Sequence, residues 1–277
     1  MFAKRKVVIA TMHQKERVIA PILKDQLGLE SVVAEINTDL LGTFSGETER
    51  LLSPIDAARQ KCRLAMEITS CDLAIASEGS FGQHPSLFFA QADDEIVLMM
   101  DRENNLEIFG RELTTDTNIS GAEIDSLDAA FEFARSALFP DHGLILKDKE
   151  SGFSELIKGI TSTVDLERHV KDLLQRHKSI WLETDMRALF NPKRMKAIEK
   201  ATKNLVQKAC SCCPKCHFPG YWIQEFIPGL PCSHCHYPTR STLAHRYTCK
   251  NCMFSETKYF PQSKNFEDPT YCDVCNP

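Results

Sequence analysis

The sequence has 277 residues, a hydrophobic fraction of 43%, a charged fraction of 26% and a formal net charge of −5. This composition is that of a globular protein and excludes a disordered tail protein or a collagen-like chain. The negative charge argues against a basic nucleic-acid coat, and no apolar run approaches the roughly 18 residues of a membrane span. The apolar run after the basic residues 4–6 is too short for a signal peptide. We therefore expect a cytoplasmic protein.

Short apolar strands alternate with amphipathic helices over the first third of the chain. The predicted strands cover residues 7–10, 31–36 and 72–77, and the predicted helices cover residues 15–27 and 53–69. Ser53-Pro54-Ile55-Asp56 marks a helix start, because a hydroxyl cap, a proline and an early carboxylate all favour that position. The polar, glycine-containing residues 37–52 are predicted to form a loop or an irregular strand.

The pattern of alternating elements continues to about residue 208. Residues 95–100 and 106–110 flank a Glu-Asn-Asn turn and predict a hairpin. A strand is predicted over residues 143–147, and helices are predicted over residues 125–138, 165–177 and 186–208, the last kinked or restarted at Asn191-Pro192. This order predicts an α/β domain over residues 1–209, with a mixed β-sheet flanked by helices.

Ten of the 12 cysteines lie between Cys210 and Cys275. Eight of them form four Cys-x-x-Cys pairs, which are Cys213/Cys216, Cys232/Cys235, Cys249/Cys252 and Cys272/Cys275. This spacing is typical of structural zinc sites, and a disulfide framework is disfavoured in the expected reducing compartment. We predict a double zinc ribbon over residues 210–277 that holds two structural zinc ions. Sequential pairing is expected, interleaved pairing stays open, and Cys210 or Cys212 could replace a ligand.

Two charge counts bear on nucleic-acid binding. Residues 210–277 carry six basic and five acidic side chains, so eight thiolates and two zinc ions leave a net charge of −3. This charge disfavours contact with a phosphate backbone. Residues 186–208 instead carry a net charge of +6, and their first turns could supply phosphate or RNA contacts.

Four polar segments are placed where a nucleotide could bind, since ligands of α/β sheets lie beyond the carboxyl ends of strands. Thr11, His13 and Lys15 lie between the first strand and its helix, where a hydroxyl, backbone N–H groups and a lysine form a phosphate cradle. Glu78 is followed by glycine and suits Mg²⁺. The other two segments contain Arg111, after the hairpin, and Arg187, at the start of the last helix.

The chain resembles two families. The order Ala10-Thr11-x-His13-x-Lys15, a Ser-Pro-capped helix and Ala74-Ile75-Ala76-Ser77-Glu78-Gly79-Ser80 resembles the inosine/xanthosine triphosphate pyrophosphatase superfamily. His13 stands where that family has asparagine, and Lys15 comes one residue early. The chain as a whole also resembles a bacterial domain-of-unknown-function family with a Cys-rich C-terminal tail.

The first resemblance implies Mg²⁺-dependent hydrolysis of a nucleoside triphosphate to a monophosphate and pyrophosphate. It implies that Lys15, Glu78 and His13 are catalytic and that Thr11, Arg111 and Arg187 bind the substrate, with His13 holding phosphate or acting as a general base. Mg²⁺ would be held by Glu78 and by a second ligand, for which the candidates are Glu47, Glu49 and Asp56. The alternative is a protein that binds a nucleotide or RNA without turnover and recruits a partner through its zinc ribbons. Neither hypothesis predicts an oligomeric state.

Overall fold

The computed structural model describes residues 1–34 and 52–277. The chain forms two compact units, Met1–Val206 and Gln207–Pro277, and the division falls within its last helix. The first unit contains β1 (Lys6–Ala10), α1 (Glu16–Leu27), β2 (Glu30–Ala34), α2 (Pro54–Thr69), β3 (Leu73–Gln83), β4 (Gln91–Asp101), β5 (Leu106–Thr114), β6 (Gly121–Ile124), α3 (Leu127–Ser136), β7 (Leu144–Lys147), β8 (Leu156–Ile160), α4 (Thr163–Leu174), β9 (Ile180–Thr184) and α5 (Pro192–Cys210), whose last residues lie in the second unit. The predicted mixed α/β class is confirmed, but the strands form two sheets instead of one.

The first sheet has the strand order β2-β1-β3-β4-β5. β1 pairs in parallel with both β2 and β3, whereas β4 and β5 are antiparallel additions. Because the chain leaves β1 toward β2 and returns on the other side to β3, the order reverses between β1 and β3. The carboxyl ends of two strands at such a reversal form a crevice in which α/β proteins bind ligands.

Helices cover both faces of this sheet. The apolar face of α2, which includes Ala58 and Cys62, packs on Ala74, Ala76 and Leu98. α5 packs on the opposite face, where it approaches Gly110 so closely that a Cβ there would lie 2.0 Å from the carbonyl oxygen of Ala201. Only glycine fits at this crossing, and the contact holds α5 against β5.

The second sheet has the order β6-β9-β7-β8, with every neighbouring pair antiparallel. α3 and α4 supply apolar side chains to the same core as this sheet, among them Phe133, Leu166 and Val170. The serine caps of these helices, Ser126 and Ser162, accept hydrogen bonds from backbone N–H groups three residues later. Strands β6, β8 and β9 are absent from the sequence-based prediction.

The structure corrects the predicted surroundings of three site residues. β3 does not end before Glu78 but continues to Gln83, because it pairs with β4 along its whole length. Arg111 lies inside β5 and not after it. Arg187 does not open the last helix: it follows β9, and α5 begins only at Pro192.

The second unit contains an antiparallel sheet of β10 (Trp222–Pro228), β11 (Thr242–Thr248) and β12 (Ser255–Tyr259). Tight turns built around the Cys-x-x-Cys pairs lie outside these strands. Across residues 1–34 and 52–277, no helix combines the length and the apolar character that crossing a membrane requires.

Candidate functional site

A cluster of charged and hydroxyl side chains lies at the carboxyl end of β1, beside the middle of β3. Its members, called here the strand-end cluster, are Thr11, Lys15, Lys61, Ser77, Glu78, Asp93, Glu95 and Arg194. Lys15 is buried where α1 begins, and its Nζ donates a hydrogen bond to the carbonyl oxygen of Ser77 over 3.2 Å. Residues from the β1–α1 loop and from the middle of β3 therefore meet at one point.

Two ion pairs connect this point to the helices on either side of the sheet. On the α2 face, Lys61 forms an ion pair with Glu78. On the α5 face, Arg194 Nε donates to Glu95 Oε1 over 2.6 Å, and both side chains are fully buried. A buried pair of this kind is costly to break, because either partner alone would be an uncompensated charge in a low-dielectric interior.

The environment shifts two ionisation equilibria in the cluster. Burial, followed by the neighbouring carboxylate of Glu95, raises the pKa of Asp93 to about 8, although the charge of Arg194 acts in the opposite direction. Burial, followed by the charge of Arg194, lowers the pKa of Lys15 to about 8, although Glu95 and Glu78 act in the opposite direction. Strongly shifted titrating groups beside a cleft are typical of functional sites.

Several buried polar atoms of the cluster have no hydrogen-bond partner within the described part of the chain. They are Thr11 Oγ1, Ser77 Oγ, Asp93 Oδ1 and Glu95 Oε2. An unsatisfied buried polar atom costs about 1–3 kcal/mol, so four of them in one place indicate a site that receives a polar ligand, an ion or water.

A cleft of about 730 Å³ adjoins the cluster inside the first unit. Ser80, Phe81 and Gln91 of the first sheet line one side, and residues of and after β9, including Trp181 and Arg187, line the other. Arg194 joins the cluster to this cleft: its guanidinium group lies 5.1 Å from the ring of Phe81, and its Nη1 donates to the carbonyl oxygen of Met186. A ligand in the cleft would therefore lie beside the cluster.

The structure brings three of the six predicted catalytic and substrate-binding residues, Thr11, Lys15 and Glu78, into the cluster. His13 is half-buried in the same β1–α1 loop. Arg187 lines the cleft, where it forms an ion pair with Asp185 and lies over the ring of Phe190. Arg111 is outside the cluster and pairs with Asp94 over 2.7 Å.

The structure places none of the three candidates for a second Mg²⁺ ligand in the described part of the strand-end cluster. Glu47 and Glu49 lie outside the described residues. Asp56 is exposed at the start of α2, where its carboxylate contacts Ser53 and Arg59. Asp56 thus lies in the first turn of the helix, beside its Ser53 cap.

Sequence reasoning missed Lys61, Asp93, Glu95 and Arg194. Asp93 and Glu95 alternate in a strand that continues into the apolar residues 96–100. Acidic side chains two residues apart in a buried strand point to the same interior face. This pattern is the sequence feature that could have identified Asp93 and Glu95 as site residues. Arg194 is one of the cations that give residues 186–208 their net charge of +6, and this count does not distinguish it from its exposed neighbours.

The basic segment 186–208 is largely neutralised by its neighbours. Besides the pairs of Arg187 and Arg194, its lysines form the ion pairs Lys193–Asp116, Lys200–Glu112 and Lys203–Glu199. These pairs reduce the positive charge that the segment could offer to a phosphate backbone.

Lys15 gives the first unit a distinct pH dependence. The unfolded chain keeps this proton up to about pH 10.5, whereas the folded chain releases it near pH 8, so the unfolded chain binds more protons between these values. The contribution of Lys15 to the free energy of unfolding is therefore lowest below pH 8 and rises as the pH increases from 8 to 10.5. Relative to Lys15→Met, we expect the wild type to gain about 3 kcal/mol in unfolding free energy across this window.

Urea unfolding at several pH values measures this difference. Lys24→Met removes an exposed lysine of the same helix and should show the pH dependence of the wild type. Parallel pH profiles for Lys15→Met and the wild type would contradict the prediction.

The cysteines of the second unit form two sets of four that could hold metal ions. One set is Cys213, Cys216, Cys249 and Cys252, and the other is Cys232, Cys235, Cys272 and Cys275. All ligand atoms within a set lie within 4.8 Å of one another. The pairing is therefore interleaved, and the expected sequential pairing is wrong. Cys210 and Cys212 are exposed and belong to neither set.

A repeated turn places these thiols. In three of the pairs, the residue four positions after the first cysteine closes a turn. Its N–H group donates to the carbonyl oxygen of that cysteine, and its φ is positive. The three residues are His217, His236 and Met253. The next residue is aromatic in each case, and its carbonyl oxygen accepts from the N–H group of the first cysteine. The repeat Cys-x-x-Cys-x-aromatic is visible in the sequence and was overlooked.

Comparison with known proteins gives one family match. Residues 61–277 match the model described as "Domain of unknown function (DUF6671)". A search of curated proteins finds no match. These comparisons give no support to the resemblance to the inosine/xanthosine triphosphate pyrophosphatase superfamily. The match covers well over half of the chain and spans both cysteine sets, so the chain belongs to the DUF6671 family.

Proposed function

We propose that the first unit is a Mg²⁺-dependent nucleoside triphosphate pyrophosphohydrolase-like enzyme. The observation that carries this proposal is the strand-end cluster, which lies at the β1–β3 reversal and adjoins a cleft. In α/β sheets this place is the usual position of a ligand, and the N-terminus of the following helix favours a phosphate group.

The cluster offers suitable groups for a phosphate tail. Lys15 and the hydroxyl of Thr11 are buried at the start of α1, where they would bind phosphate oxygens. Glu78 holds Lys61 beside them, so Lys61 would add a second cation without moving far. The cleft between Phe81 and Trp181 would receive the nucleoside.

The proposed reaction is a displacement at the α-phosphorus. A water oxygen forms a bond to this phosphorus, the bond to the bridging oxygen breaks, and pyrophosphate leaves. The water proton would pass to His13 in the β1–α1 loop, the candidate general base. When bound, Mg²⁺ neutralises the phosphate charge and orients the reactants. Lys15 would stabilise the charge that develops on the phosphate oxygens, a contribution typically of about 10²-fold or more in rate.

Pyrophosphate release from a panel of nucleoside triphosphates with Mg²⁺ tests the proposal. We expect turnover by the wild type and a loss of about 10²-fold or more in Lys15→Ala and Glu78→Gln. Lys24→Ala, an exposed lysine on the same helix, is the matched control and should retain full activity. Trace rates that are equal in all four proteins would refute the enzyme proposal.

A second candidate is a protein that binds a nucleotide or RNA without turnover. The observation that favours it is that Glu78 and Glu95 already form ion pairs, with Lys61 and Arg194. Such pairs can position a ligand without activating water. Stabilisation of the chain by a non-hydrolysed nucleotide, with no product formed, would favour this candidate.

For the second unit, we propose two structural zinc ions. Four sulfur atoms placed tetrahedrally at 2.3 Å from zinc are about 3.8 Å apart. The Sγ–Sγ distances are 3.7 Å for Cys213–Cys252, 3.6 Å for Cys216–Cys249, and 3.9 Å and 3.6 Å for the corresponding pairs of the other set, Cys232–Cys275 and Cys235–Cys272. Four thiolates fill the coordination sphere of zinc and leave no position for a substrate, so the expected role is structural.

A further inference from the structure

Asp93 and Glu95 occupy a defined place in the first sheet. β4 pairs with β3 so that Glu95 lies opposite Gly79 and Asp93 opposite Phe81. Residues two apart in a strand point to the same face, here the face on which α5 packs. At Gly79 a Cβ would lie 2.2 Å from Glu95 Oε1, so the space occupied by this carboxylate depends on the glycine.

The two carboxyl groups are buried side by side. Asp93 is 1% exposed and Glu95 is not exposed, and the two residues lie two positions apart on one face of β4. Asp93 Oδ1 and Glu95 Oε2 have no donor among the described residues. Arg194 Nε donates a hydrogen bond to the other oxygen of Glu95, Oε1. Arg194 supplies one positive charge for these two buried carboxyl groups, so the second carboxyl group requires a further cation or a proton in this interior of low dielectric constant.

We propose that Asp93 and Glu95 together bind a divalent cation of the Mg²⁺ and Mn²⁺ class. Hard cations of this class take oxygen ligands, and Mg²⁺ is commonly held by one or two carboxylates while water and phosphate fill its other positions. Two residues of the cleft lie next to Asp93: Phe81 is its partner on β3, and Gln91 lies two residues before it on β4. The coordination positions of the cation that the protein does not fill would therefore face the cleft.

The charges of the strand-end cluster agree with this assignment. Lys15, Lys61 and Arg194 balance Glu78, Asp93 and Glu95, so the ionised cluster is neutral without a cation. A bound divalent ion would give it a charge of +2, which suits an incoming phosphate tail. The role of the cation rests on the proposed function, although its binding does not. This site takes the place of one formed by Glu78 with Glu47, Glu49 or Asp56.

Mn²⁺ binding to the full-length, zinc-loaded chain tests the assignment in the absence of nucleotide, with free Mn²⁺ followed by electron paramagnetic resonance. We expect the wild type to bind one Mn²⁺ and Asp93→Asn to bind it at least about tenfold more weakly. Asp94→Asn is the matched control. Its side chain points to the other face of the same strand and pairs with Arg111, so this variant should bind Mn²⁺ as the wild type does.

Thermal unfolding gives a second readout that does not depend on activity. Added Mn²⁺ should raise the melting temperature of the wild type but not that of Asp93→Asn. Absence of Mn²⁺ binding by the wild type at millimolar concentration, or equal binding by Asp93→Asn, would overturn the assignment in favour of a shared proton. Mn²⁺ binding without nucleotide turnover would instead leave the cation site standing and remove the enzyme proposal.

Discussion

Replacing Cys213 and Cys249 together by alanine is expected to leave one zinc ion per chain, whereas replacing Cys213 and Cys232 together should leave none. The first pair of substitutions removes two ligands from a single set, and the second removes one cysteine from each set. Sequential pairing would give the opposite result. Metal analysis of the purified double variants, compared with two zinc ions in the wild type, measures the difference.

The exposed Cys210 and Cys212 provide the control for this experiment, because their replacement should leave both zinc ions bound. Structural zinc contributes about 10–16 kcal/mol of apparent binding free energy in small domains, so its loss should unfold the second unit. Trp222 begins β10 and reports on this unit through its fluorescence. A chain that keeps two zinc ions in both double variants would contradict the assignment of these thiols as ligands.

Arg194→Met is expected to lower the unfolding free energy of the first unit by about 3–5 kcal/mol, because it leaves the buried carboxylate of Glu95 without its cation. Adding Glu95→Gln to this variant should restore much of the loss, since the orphaned charge is then removed as well. Urea unfolding followed by Trp181 fluorescence, in a Trp222→Phe background, isolates the first unit.

Arg111→Met is the matched control for this prediction. Its partner Asp94 lies on the same strand as Glu95, but the pair is at the surface, with the arginine side chain half exposed. Exposed ion pairs contribute about 0–1 kcal/mol, so this substitution should have little effect. A similar loss in the two variants would show that the burial of Arg194 does not determine the cost.

Local sequence signals predicted the start of α2 correctly. Ser53 accepts a hydrogen bond from the backbone N–H group of Asp56, and Pro54 occupies the first helical position. These preferences follow from groups within one turn of the chain, so no knowledge of tertiary structure was needed. The same reasoning placed β1, α1 and the β4–β5 hairpin.

The extension of β3 beyond Ser77 could not be predicted in this way. Glu78-Gly79-Ser80 has low strand propensity and reads as a turn. The segment is extended because each of its residues pairs with a residue of β4, and that register depends on contacts distant in the sequence. This pairing also places Asp93 and Glu95 at the site, which explains why the residue types alone did not reveal them.

For the second unit, spacing selected the eight cysteines but did not determine their partners. A Cys-x-x-Cys turn places two thiols on one edge of a tetrahedron, and any other such turn can complete it. The gaps between the pairs permit either arrangement. The choice follows from the path of the antiparallel sheet, which brings the first turn to the third and the second to the fourth.

The interleaved arrangement has a consequence for the biosynthesis of the chain. A nascent polypeptide that has emerged as far as Cys235 presents four of these cysteines but no complete native set, because the first set is finished only by Cys252 and the second only by Cys275. Neither set can therefore be completed before Cys252 has been translated, and a chain cut short before Cys249 contains no complete set. The thiols of the second set must stay reduced until Cys275 has been translated.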